Sequence, residues 1–120
     1  MTTLTILNRH LPSWDEFNAL SSSKKKELKN VWYDLVQLNC RKQDIAKIGY
    51  QGKSLAIKIV CHYPSRKVAV KTDNMCIRLI TGALQDIVFG AEDWVHVKYI
   101  NLESWVDKPD PRIVTTISYV

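Results

Sequence analysis

The densest chemistry in this sequence lies between positions 61 and 74, with a second acidic step about twenty residues later. Cys61-His62-Tyr63-Pro64-Ser65-Arg66-Lys67 is followed by Lys71-Thr72-Asp73-Asn74, and then by Glu92-Asp93. Asp73, Glu92 and Asp93 are candidate ligands for Mg²⁺ or Mn²⁺. Mg²⁺ binds through one or two carboxylates and completes its shell with waters and substrate phosphate oxygens. A cation so held activates a water and stabilises charge on a phosphate under attack. Asp73 reads equally as a helix N-cap, and Glu92-Asp93 equally as a solvated turn. Arg66, Lys67 and Lys71 are candidate phosphate contacts. Lys24, Lys25, Lys26 and Lys29 join them, crowding the first turns of an expected helix. The macrodipole disfavours positive charge there by about 0.3–1 kcal/mol each, a placement that phosphate contact rationalises.

The elements that must position these groups follow from periodicity. Thr2–Leu7 (TTLTIL) predicts a short opening strand. His10 to Trp14 reads as a loop. Ser21-Ser22-Ser23 offers an N-cap for a helix from Lys24, with Leu28, Val31, Trp32, Leu35 and Val36 at three- and four-residue spacing. Ser54–Tyr63 alternates Leu55, Ile57, Ile59, Cys61 and Tyr63 with Ala56, Lys58, Val60 and His62, and the partly apolar second face predicts a position where both sides of the sheet are covered. Thr72 or Asp73 caps a second helix through Ile80, Leu84 and Ile87, weakened by Gly82. Trp94–Asn101 and Arg112–Val120 read as strands, joined through Pro109 and Pro111. The expected fold is α/β (α+β), a mixed, mostly antiparallel four-strand sheet with two main helices in the order β-α-β-α-β-β. With Asp73 at a helix start and Asp93 at a strand start, the carboxylates converge if that helix packs back on the sheet.

A chain of 120 residues and 13.8 kDa fits one domain, 1–120. Scaling with mass gives about 6,600 Å² of accessible surface when folded, enough burial for a core without disulfides. Three cysteines, Cys40, Cys61 and Cys76, at wide and unequal spacing fit neither a disulfide framework nor a zinc site, so half-buried reduced thiols are expected. No apolar run approaches the roughly 18 residues of a membrane span, and the N-terminus lacks signal-peptide character, which predicts a cytoplasmic protein without a membrane partner. Net charge is +5, unevenly placed: through Lys71 there are 13 basic and 5 acidic residues, and from Thr72 onward 4 basic and 7 acidic. Such a division suits a phosphate-tracking surface beside a carboxylate-lined site. The isolated histidines His10, His62 and His96 form no catalytic pattern with the cysteines, and there is no Gly-rich phosphate loop or zinc finger.

The strand ending Cys61-His62-Tyr63-Pro64, the basic loop, Asp73-Asn74 at a helix start and the Glu92-Asp93 turn together resemble the RusA-like Holliday junction resolvases. Leu11-Pro12-Ser13-Trp14, followed by a basic helix with Lys29, Trp32 and Leu35, is similar to that family's opening. The resemblance implies a small homodimeric endonuclease that cuts branched DNA with Mg²⁺ or Mn²⁺. It implies catalytic roles for Asp73, Glu92 and Asp93, and a DNA contact at Asn74. Two positions depart from the family pattern: Lys71 stands in place of its first catalytic aspartate, and Ile77 in place of its catalytic lysine. Lys71 then either fills the metal's space and pairs with Asp73 and Asp93, or holds the scissile phosphate, or lies in solvent. The alternative function is a non-catalytic nucleic-acid-binding module that uses the basic first half of the chain.

Overall fold

The computed structural model describes residues 1–49, 51–90 and 94–120. The opening β-branched run forms β1 (Thr2–Leu7), and Ser13 then caps a short helix α1 (Trp14–Asn18). The long helix α2 spans Ser22–Lys42 from an N-cap at Ser21, whose side chain accepts the Lys24 N–H. Strand β2 (Leu55–Tyr63) leads through a 3-10 turn at Thr72–Asn74 to α3 (Arg78–Ile87). Strands β3 (Val97–Val106) and β4 (Arg112–Tyr119) complete the described elements.

The sheet order is β1-β4-β2-β3. β4 runs antiparallel to both β1 and β2, and β2 runs parallel to β3, so β1, β2 and β3 all point the same way. The two long helices are therefore crossovers between parallel strands, as such connections require. They pack on each other with Lys29 and Asn30 beside Arg78 and Leu79, and Ile48 past the end of α2 donates to the Val88 carbonyl past the end of α3 at 2.8 Å. Both amino ends thus lie at the carboxyl end of the parallel strands.

Among the described residues, helices cover one face of the sheet. Leu55, Ile57, Ile59, Cys61 and Tyr63 of β2, with Leu4, Ile6, Ile113 and Ile117 of its neighbours, meet Trp32, Val36, Leu79, Ile80 and Leu84 in a single core. The second face of β2, expected to be covered, is open: Lys58 is exposed, and Ala56, Val60 and His62 are half-buried. The accessible surface, 7347 Å², exceeds the value of about 6,600 Å² that mass alone suggests.

Three expected boundaries shift. The loop at 10–14 gives way to α1 because Ser13 and Glu16 form a capping box, each side chain bonding the other's backbone. The second helix begins at Arg78 rather than at Thr72 or Asp73, because Met75 bridges to Ser13 and the Cys76 N–H donates to Pro12 O at 2.9 Å. Asp73 therefore caps no α-helix, and α3 starts from Ile77 without a side-chain cap. The third strand, expected over Trp94–Asn101, starts later, at Val97, with Val95 and His96 in a turn, and continues to Val106 because β2 offers partners as far as Tyr63. The thiols are fully rather than half buried, all three being free. Burial pushes each of them up from the ordinary thiol range, which makes them poor nucleophiles. Among the described residues no helix is long and apolar enough to cross a membrane.

Candidate nucleic-acid interface

The end of the sheet where the parallel strands finish is assembled from three connections: 8–13 after β1, 64–77 after β2, and 107–111 after β3. In open α/β sheets such a carboxyl end is the usual place for ligands. The sequence near it is built to hold the loops still. Tyr63, fully buried at the end of β2, donates its hydroxyl to Leu11 O at 2.9 Å, and the Leu11 N–H donates to Cys61 Sγ at 3.4 Å. Burial pushes the Tyr63 phenol well above its ordinary range, so it stays a donor. The Ser104 hydroxyl of β3 donates to Val70 O at 2.6 Å and fixes the connection after β2.

Between these loops opens a polar cavity of about 480 Å³ bordered by His10, Glu16, Lys67, Lys71 and Asn74. Lys67 and Lys71 are exposed at its rim, and Arg66 is exposed on the same turn. Asn74 donates Nδ2 to Asp15 Oδ2 at 3.1 Å, so its amide links the 3-10 turn to α1. Lys71 and Asp73 are both exposed, and among the described residues they form no ion pair with each other.

A second group of cations stands beside the first. Lys25 and Lys29 place their ammonium groups 5.7 and 5.8 Å from the centre of the Phe17 ring in α1. Lys24 pairs loosely with Glu27 at 3.7 Å, and Lys26 is exposed. Lys29 shares a shallow groove with Arg78, the first residue of α3. Arg78 was not singled out in the sequence, since only the parallel packing of α2 and α3 brings it to Lys29. The Ser13-x-x-Glu16 spacing was the available signal for α1, which separates the two cationic groups.

Asp73 belongs to the cationic end, whereas Glu92 and Asp93 lie outside the described residues. Their flanks, Gly90 and Trp94, stand at the other end of the sheet, where Leu55 at the start of β2 donates to His96 O at 2.9 Å. Among the described residues no three His, Cys, Asp or Glu side chains gather as a metal-binding group. Among the described residues the carboxylates at the cationic end are Asp73, exposed on the 3-10 turn, Asp15, which accepts from Asn74, and Glu16 on the cavity rim, an open set that suits a hydrated Mg²⁺ shared with phosphate oxygens rather than a closed protein cage.

His62, the remaining polar member of the strand motif, lies on the open face across from Arg112. Its pKa is lowered by partial burial first and by the Arg112 guanidinium second. Arg112 in turn bonds Asp107 at 2.8 Å and Asp110 at 3.3 Å. Of the Cys-His-Tyr-Pro motif, then, Cys61 and Tyr63 clamp a loop and His62 joins a charged cluster on the other face. No protein-family model matches the chain, and no curated protein matches it.

Proposed function

We propose that this chain binds the phosphate backbone of nucleic acid, and of branched DNA in particular, with the carboxyl end of its parallel strands. The observation that carries the reading is the convergence there of both long-helix amino ends with Lys24, Lys25, Lys26, Lys29, Lys67, Lys71 and Arg78. Helix amino ends and side-chain cations disfavour each other, and an anion relieves both. Branched DNA as the substrate, and a homodimer as the binding unit, come from the resemblance to RusA-like resolvases.

A second reading, cleavage of that DNA with Mg²⁺ or Mn²⁺, is favoured by the position of Asp73 on an exposed turn directly after the basic connection. Asp73 would hold the metal and Lys71 the phosphate beside it; the metal's contribution would be an activated water and charge neutralisation. Binding and cutting separate in one series. A four-way junction, a duplex and a single strand are titrated at two salt concentrations, then incubated with Mg²⁺ or Mn²⁺. With about five phosphate contacts the slope of log affinity against log salt is about −4.5, so a fourfold rise in salt weakens binding about 500-fold. Equal and salt-insensitive weakness on all three DNAs would refute the binding reading. An intact junction after incubation with either metal would refute cleavage alone, and cleavage unchanged by Asp73→Asn would remove Asp73 from it.

A further inference from the structure

The sheet has two edges and treats them differently. At β1 the edge is closed by Gln43, the residue just past α2, which donates Nε2 to Thr5 O at 2.7 Å and accepts the Thr5 N–H at 2.9 Å. β3, at the other edge, is ten residues long, and among the described residues no side chain bonds its backbone. Val97 and Leu102 are half-buried against the core, but four apolar residues are exposed, on both sides of the sheet: Tyr99 at 58% and Trp105 at 57% on the open face, Ile100 at 37% and Val106 at 46% on the helix-covered face. Ser104 bonds Val70 on the helix-covered face. Long edges with exposed apolar residues are templates for pairing with another strand, and proteins that remain single normally blunt them. The nearest thing to a blunting device, a register shift that leaves Lys98 unpaired, affects only the amino end of the strand.

We propose that the β3 edge docks a second copy of this chain, the two β3 strands pairing antiparallel about Leu102 into one continuous eight-stranded sheet. This deepens the homodimer reading by giving it an interface, and it is separate from DNA binding, which uses the strand ends. The strand's own sequence argues for a copy of itself. A two-fold axis normal to the sheet pairs only residues that share a face. Centred on Leu102, it sets Tyr99 against the partner's Trp105, and Ile100 against the partner's Ser104. The aromatic cross-strand pair then forms twice, and such pairs are among the favourable ones in sheets.

Charge agrees with that occupant. Lys58 pairs with Glu103 at 2.6 Å, and Trp105 Nε1 donates to the same carboxylate at 2.9 Å, so the middle of β3 presents no net charge on a chain of +5. A phosphate backbone finds no cation there to spare, whereas a second copy meets no repulsion. In the paired arrangement the helices of both copies lie on one face, and the two cationic ends point in opposite directions.

The test is sedimentation equilibrium of the full chain and of Tyr99→Lys/Trp105→Lys. The expected result is a wild-type dimer at tens of micromolar, with the dissociation constant raised about 100-fold in the variant, as for loss of both aromatic pairs that flank Leu102. A wild-type monomer at that concentration would overturn both the interface and the homodimer. A wild-type dimer that the variant retains at equal strength would overturn the interface and leave the homodimer standing. Should the lysine variant lose its far-ultraviolet circular dichroism, Tyr99→Cys/Trp105→Cys decides. Mild oxidation is expected to join two copies through disulfides, each thiol pair losing two electrons to added oxidised glutathione, and absence of a covalent dimer overturns the proposal. DNA affinity measured beside these variants reports on the strand-end reading independently.

Discussion

Replacing Tyr63 with phenylalanine probes how the cationic end is held in place. The ring is fully buried and its hydroxyl donates to the equally buried Leu11 carbonyl at 2.9 Å, so Tyr63→Phe keeps the packing and removes one bond. The Leu11 oxygen is then left without its donor. A buried acceptor stripped of its partner costs about 1–3 kcal/mol, more than the net worth of an ordinary hydrogen bond. Taking about 2 kcal/mol, and an unfolding entropy of about 250 cal/mol/K for a chain of this size, the melting temperature falls by about 8 °C. Calorimetry at neutral pH measures that shift. Amide exchange adds a local readout. The Leu11 N–H, still held by Cys61 Sγ at 3.4 Å, should lose protection while the β2 and β4 amides keep theirs. A fall of less than about 2 °C, with Leu11 protection unchanged, would refute the claim that this clamp fixes the loop.

Gly82, in the middle of α3, faces open space where an added Cβ would meet nothing within 4 Å. Gly82→Ala should therefore stabilise the fold by about 1 kcal/mol in urea denaturation. The Thr115 hydroxyl is buried in β4 without a hydrogen-bond partner among the described residues. Thr115→Val is accordingly expected to raise stability by about 1–2 kcal/mol, checked in the same assay. The His62 pKa is lowered in the fold by burial and Arg112, so the unfolded chain binds its proton more readily. This contribution to stability is complete above the unfolded value of about 6.5 and is lost as pH falls through the lower folded value. Asp107, lowered chiefly by its bond from Arg112, adds a second loss at more acidic pH. Stability of wild type against His62→Gln across pH 4–8 should show the first loss in the wild type only.

The elements with a strong internal pattern were legible. Thr2–Leu7 emerges with the expected bounds because its β-branched alternation needs no partner to be read. The serine cluster before Lys24 did contain the N-cap of α2. What local pattern missed is set by contacts distant in sequence. Met75 and Cys76 are drawn straight by Ser13 and Pro12, about sixty residues earlier, and this delays α3 to Arg78. β3 lost its far half in the sequence reading because an edge strand exposed on both faces has no apolar alternation to follow. The insertion of β4 between β1 and β2 is likewise a matter of long-range pairing. Of the candidate site, Lys67 and Lys71 were legible as a pair because five residues of one connection contain both. Their company with Lys29 and Arg78 was not, since it depends on two helices lying parallel.

That parallel packing has an energetic consequence which can be separated from net charge. α2 opens with Lys24, Lys25 and Lys26, has no acidic residue in its first turn, and pairs Lys24 to Glu27 in the order that opposes the macrodipole. Exchanging the two residues, Lys24→Glu with Glu27→Lys, keeps the charge of the chain and the spacing of the pair. It places the carboxylate toward the helix amino end, which is the favourable orientation. The apo protein should gain about 0.5–1 kcal/mol, or about 2–4 °C, at low salt, with the gain shrinking as salt rises. If the basic first turn exists to meet phosphate, the same exchange should weaken junction binding several-fold and lower the salt slope by about 0.9, the share of one contact. Higher stability with unchanged DNA affinity would show that Lys24 plays no part in binding. Lower stability would show that the helix end is not paying the electrostatic cost inferred from its sequence.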